Sequence, residues 1–154
     1  MSLAAEPQSA AWRLVETGSC VLPESADQMT WKIGDHGFVM TLSPQVPRTL
    51  IAHVQPWVQR WLAAAGLSVE QVDHWVVHPG GPRILTATRE ALNLPADALA
   101  VSQQVLRDHG NMSSPTVLFI LEQLERQVGS AGGTCVLLSF GPGLTGEAAL
   151  LRRG

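Results

Sequence analysis

The order in which the hydrophobic period changes along the chain leaves few folds open to it. From Arg48 to Ala65 the apolar residues Leu50, Ile51, Val54, Trp57, Val58, Trp61, Leu62 and Ala65 recur every three or four positions, the period of one helix face. Gly66 stops this run as a C-terminal glycine does, and Pro56 inside it predicts a kink or a split into two helices. His74–Val77 is then a short apolar run of strand character. Pro82–Leu92 returns to helix, with Pro82 tolerated in its first turn. Ser113–Gln127 is a further helix with Pro115 in its first turn, and Leu118, Leu121, Leu124 and Val128 are spaced for one face. Thr134–Phe140 reads as an apolar strand, and Glu147–Leu151 returns as the last one. Helices alternating with strands, closed by a β-hairpin, predict an α/β fold: a mixed β-sheet covered by helices.

The remaining segments are plainer. Trp12–Leu22 reads as a bent strand. Thr30–Ile33 and Phe38–Leu42 read as two strands joined by Gly34-Asp35-His36-Gly37, which has turn chemistry. Ala96–Leu99 reads as a short turn, and Val101–His109 has no decisive period. Met1–Ala11 reads as a weakly ordered segment, with Met1-Ser2-Leu3 taken for a tag remnant. The folded domain is therefore expected over residues 12–154.

Composition narrows the function classes. Charged residues make up 15% of the 154 and apolar ones 45%, against about 25% charged in a typical soluble domain. A face of the domain that packs on something else would account for the difference. The formal charge of −3 comes with no Lys/Arg block, so a nucleic-acid partner is not expected. No run reaches the ~18 apolar residues of a membrane span, and the N-terminus lacks a signal-peptide pattern. Cys20 and Cys135 have neither metal-ligand spacing nor a disulfide framework. They read as buried, reduced thiols of a cytoplasmic protein.

Two short motifs carry chemistry. His78-Pro79-Gly80-Gly81-Pro82 puts a His directly after a strand, the usual place for a working side chain in an α/β fold. A His there can donate to a thioester oxygen as charge develops on it, or lower the pKa of a nearby thiol; on local sequence it reads equally as a structural His. Gly110-Asn111-Met112-Ser113-Ser114 puts an Asn before a helix, where a cap or turn role is the commoner one. Ser113 and Ser114 read as caps of that helix. Phe140-Gly141-Pro142-Gly143-Leu144 is a stiff turn between strands, either a plain hairpin or a pocket wall. There is no HxxxH or HExxH spacing, no GxGxxG and no P-loop. No metal or cofactor site is expected.

Taken in order, His78-Pro79-Gly80-Gly81-Pro82, Gly110-Asn111-Met112-Ser113-Ser114 with Val117-Leu118-Phe119-Ile120-Leu121, and Phe140-Gly141-Pro142-Gly143-Leu144 resemble the C-terminal half of type III polyketide synthases, the chalcone and stilbene synthase family. The resemblance implies a thiolase-like half, in which His78 and Asn111 match the catalytic His and Asn. These two residues would hold the thioester carbonyl and stabilise the enolate formed when malonyl-CoA loses carbon dioxide. It also implies that Met40 stands where chalcone synthases carry a gatekeeper Phe, that Trp31 stands near a small cavity residue, and that Ser113, Gly141, Pro142 and Gly143 shape the elongation pocket. The nucleophilic Cys of the family belongs to its other half, and neither cysteine here suits that role. Acyl-CoA and malonyl-CoA are the implied substrates, the N-terminal half is the implied partner, and the isolated chain is expected to be inactive and homodimeric. A ketoacyl-carrier-protein synthase III-like half and a non-catalytic binding or assembly module are the alternatives.

Overall fold

The computed structural model describes residues 11–129 and 132–154. Its strands and α-helices are β1 (Arg13–Val21), β2 (Met29–Gly34), β3 (Gly37–Leu42), α1 (Val46–Ala64), β4 (His74–Val77), α2 (Pro82–Ala91), α3 (Ala100–His109), α4 (Thr116–Val128), β5 (Gly133–Gly141) and β6 (Thr145–Arg153). The main sheet has the order β1-β6-β5-β4. β4 and β5 are parallel, whereas β5–β6 and β6–β1 are antiparallel. This is the mixed sheet with a closing hairpin that the alternation predicts. β2 and β3 form a separate two-stranded sheet.

Helices cover both faces of the main sheet, and strand parity divides the core between them. Trp75, Val77, Val136, Leu138, Ala148 and Leu150 pack with the buried residues of α1 and α2. Val76, Cys135 and Leu151 pack with Val105 of α3 and with Ile120 and Leu124 of α4. Both sides of β4 and β5 are therefore apolar, which is why they read as short unbroken hydrophobic runs.

Three local expectations change. α1 is one continuous helix through Pro56. Pro56 and Ala52 both lie on its exposed face, so the Ala52 carbonyl that loses its partner is solvated. The buried stripe Leu50, Val54, Trp57, Val58 and Leu62 holds the axis on either side. The indecisive stretch before the Asn motif is helix α3, set by buried Ser102 and Val105. On α4 the buried positions are Thr116, Ile120 and Leu124, while Leu118 is 63% exposed, so Leu118 does not share the core-facing side with Leu124. The expected weakly ordered segment lies, but for Ala11, outside the described residues.

Candidate active site

β4 ends at Val77, and the ladder continues one residue further: the His78 N–H donates to the Leu138 carbonyl at 2.8 Å. The His78 carbonyl accepts the Gly80 N–H at 3.0 Å, which turns the chain out of the sheet toward α2. Alternation puts His78 on the Val76 side of the sheet, the side covered by α3 and α4. Its ring is half-buried and makes no side-chain hydrogen bond among the described residues. Desolvation pushes its pKa below the usual value of 6.5, so the neutral imidazole is the form present at pH 7.

Because β4 and β5 are parallel, with Val77 opposite Leu138, the C-terminal end of β5 lies at the same sheet edge as His78. That end is Gly141, followed by a tight turn over Pro142–Leu144. Gly143 has φ +72° there, a conformation that favours glycine. The Leu144 carbonyl accepts the Leu22 N–H at 3.2 Å, and β2 packs against this turn. The Gly-Pro-Gly motif is thus more than a hairpin link, since it is where three parts of the chain meet.

α3 stops at Gly110, whose φ of +71° and N–H bond to the Leu106 carbonyl at 3.0 Å close the helix. Asn111 follows, exposed, and its Oδ1 accepts the Ser113 N–H at 2.8 Å. Since a backbone N–H must donate, the oxygen of the amide is assigned and the NH₂ group has no hydrogen-bond partner among the described residues. Ser113 sits at φ +60°. Neither Ser113 nor Ser114 makes a side-chain cap of α4. The Thr116 hydroxyl, which the sequence reading passes over, takes the Met112 N–H instead. Asn111 and Ser113 lie in the loop between α3 and the N-terminal turn of α4.

Met40 lies on β3 directly opposite Trp31 on β2. Partners opposed in an antiparallel ladder share a face, so Met29, Trp31, Ile33, Phe38, Met40 and Leu42 form one apolar face. Thr30, Lys32 and Thr41 lie on the other, where the two threonine hydroxyls bond each other at 2.6 Å. The apolar side is open: Ile33 is 89% exposed, Phe38 71% and Met40 57%. The Trp31 and Phe38 rings stack at 5.6 Å. Through the contact of β2 with Pro142–Leu144, the hairpin holds this face at the end of the molecule where His78 emerges.

Neither cysteine changes its reading. Both are free. Cys135 is fully buried and its thiol is pushed up to about 12, and burial also raises Cys20. Neither is a thiolate at neutral pH. Among the described residues no group of three His, Cys, Asp or Glu gathers as metal ligands, and no helix is long and apolar enough to cross a membrane. A cavity of about 770 Å³ opens at the other end of β4, beside Asp73, His74, Asn93 and Asp97, away from the motifs.

Residues 13–153 match the family model described as "Chalcone and stilbene synthases, C-terminal domain". The chain is 35% identical over 147 residues to a 1,3,6,8-tetrahydroxynaphthalene synthase of Streptomyces peucetius subsp. caesius, covering 94% of this chain and 39% of that protein. It is 36% identical over 142 residues to a 3,5-dihydroxyphenylacetyl-CoA synthase of Streptomyces toyocaensis, covering 90% of this chain and 36% of that protein. Among solved structures it is similar to PKS-I from the brown alga Ectocarpus siliculosus, with a TM-score of 0.89 and 30% identity over 97% of this chain and 41% of that one. The chain therefore spans about two-fifths of the length of these relatives. Fold, motif order and family match agree: the chain belongs to the chalcone and stilbene synthase family, as the C-terminal domain of a type III polyketide synthase.

Proposed function

We propose that this domain supplies the carbonyl-binding half of a decarboxylating Claisen condensation between an acyl thioester and malonyl-CoA. The reading is supported by two side chains able to donate to an oxygen: the neutral ring of His78 at the end of β4, which makes no side-chain hydrogen bond among the described residues, and exposed Asn111, whose Oδ1 takes the Ser113 N–H and leaves its NH₂ free to donate. Fixed donors aimed at an oxygen that gains charge lower a barrier by several kcal/mol; losing one such donor typically costs ~10²–10³ in rate. In the proposed step the C–CO₂ bond of malonyl-CoA breaks and its electron pair moves onto the thioester oxygen, held by His78 and Asn111. The enolate carbon then attacks the acyl carbonyl and a thiolate leaves. Ser113 and Gly141, Pro142 and Gly143 form the rear of the pocket, and the Met40 and Trp31 face forms its wall.

The thiol that carries the acyl group is not in this chain, since Cys20 and Cys135 are held protonated. A preceding N-terminal half, as in the longer relatives, supplies it, and the isolated domain is inactive. The two free thiols fit a reducing compartment such as the cytoplasm. Incubation of the domain alone with acyl-CoA and malonyl-CoA is expected to give no polyketide. Co-expression with the N-terminal region of the tetrahydroxynaphthalene synthase is expected to give condensation product, reduced ~10²-fold or more by His78→Ala or Asn111→Ala. Product from the domain alone, or full activity of both variants in the reconstituted pair, would overturn the reading.

A further inference from the structure

Thr116 opens α4 and is fully buried. Its Oγ1 accepts the Met112 N–H at 2.9 Å, and its own N–H donates to the Ser113 carbonyl at 3.0 Å. These two bonds close a compact ring from Met112 to Thr116. The Met112 side chain packs on the core cluster of Val76, Val105 and Ile120, which fixes the ring to the domain.

The Met112 N–H belongs to the peptide group that joins Asn111 to Met112. Fixing that group fixes ψ of Asn111, and on the other side the Gly110 N–H is held by the Leu106 carbonyl. Asn111 itself is exposed, and among the described residues its side chain is tied only to Ser113, two residues on and inside the same turn. Its direction relative to the rest of the domain is therefore set through the backbone, and the Thr116 hydroxyl is the acceptor on which that backbone rests.

We propose that Thr116 is a positioning residue for Asn111: its hydroxyl, rather than its bulk, holds the turn so that the Asn111 amide points out as a fixed donor. This rests on the reading of Asn111 as a donor to the thioester oxygen. Valine has nearly the shape of threonine but no acceptor. With valine at 116, the part-buried Met112 N–H loses its partner, and an unsatisfied donor of this kind is costly enough to turn its peptide toward water. Asn111 turns with it. A displacement of about 1 Å at a catalytic group is enough to cost ~10²-fold in rate.

The test uses the chain itself, ¹⁵N-labelled, with two readouts: exchange of the Met112 amide and the order parameter of the Asn111 side-chain NH₂. In the wild type the Met112 amide is expected to be protected and the Asn111 side chain ordered. Thr116→Val is expected to speed Met112 exchange at least tenfold and to lower the Asn111 order parameter while the rest of the spectrum stays dispersed. Thr116→Ser is expected to restore both, although it removes a methyl group from the core. An unchanged Asn111 in Thr116→Val, or a Thr116→Ser variant that behaves like Thr116→Val, would overturn the proposal. Should Thr116→Val not fold, the wild type and Thr116→Ser still decide: a Met112 amide that exchanges as fast as that of exposed Ser114 in the wild type refutes it. The catalytic reading fails separately, if Asn111→Ala leaves condensation intact in the reconstituted pair while these spectroscopic results hold.

Discussion

At the scale of single residues, the protonation of His78 links chemistry to stability. Burial holds its folded pKa below 6.5. Above about pH 6.5 the folded and unfolded chains are both neutral at this residue and it contributes nothing. As the pH falls below that value the unfolded chain takes up a proton that the folded chain resists, so stability drops until the folded pKa is passed. Asp73 acts in the same direction at lower pH. The Thr134 N–H holds its carboxylate below 3.8, so its contribution, present above that value, is lost as the pH falls through the folded pKa. The melting temperature is expected to fall between pH 7 and pH 5, and His78→Gln to flatten that part of the profile. An unchanged slope in the variant would remove His78 as its cause.

At the scale of elements, α1 lies on the sheet through two glycines. A Cβ on Gly146 of β6 would stand 2.7 Å from Cζ3 of Trp57 and 3.1 Å from Sγ of Cys20. A Cβ on Gly18 of β1 would stand 2.7 Å from Cδ1 of Trp61. Two tryptophans four residues apart on one helix face thus fit against bare backbone on two neighbouring strands, which brings the helix close. Overpacking of this kind costs about 1–3 kcal/mol. Gly146→Ala is expected to lower the unfolding free energy in urea by about that much, and Trp57→Phe in the same chain to recover part of it through coupling of the two sites. Strictly additive losses in the double variant would refute the contact.

At the scale of the whole molecule, the apolar face of β2–β3 is open apart from Met29, which packs on the core, and Leu118 and Phe119 on α4 are exposed as well. Open apolar surface of this extent marks an interaction site. It also accounts for a composition with only 15% charged residues. We propose that in a longer parent an N-terminal half covers the part of this surface that does not line the pocket. In the isolated chain a second copy is expected to do so, giving a homodimer by sedimentation at tens of micromolar. Trp31→Lys with Phe38→Lys is expected to return it to monomer. A wild type that stays monomeric at millimolar concentration would show that the face tolerates water.

The periods along the chain determine the α/β class, the mixed sheet and the closing hairpin, because hydrophobic spacing is local and each element must bury its own face. The motifs around His78, Asn111 and Gly141–Gly143 are legible for the same reason: each is a contiguous run at an element end. That His78 and Gly141–Gly143 lie at one end of the sheet is not legible, since it follows from the parallel pairing of β4 with β5, contacts between residues some 60 positions apart. The continuity of α1 through Pro56, the exposure of Leu118 and the glycine seats of Trp57 and Trp61 likewise depend on which neighbour arrives. Thr116 escapes a sequence reading because its hydroxyl serves a turn four residues back, and only the folded turn brings the Met112 N–H to it.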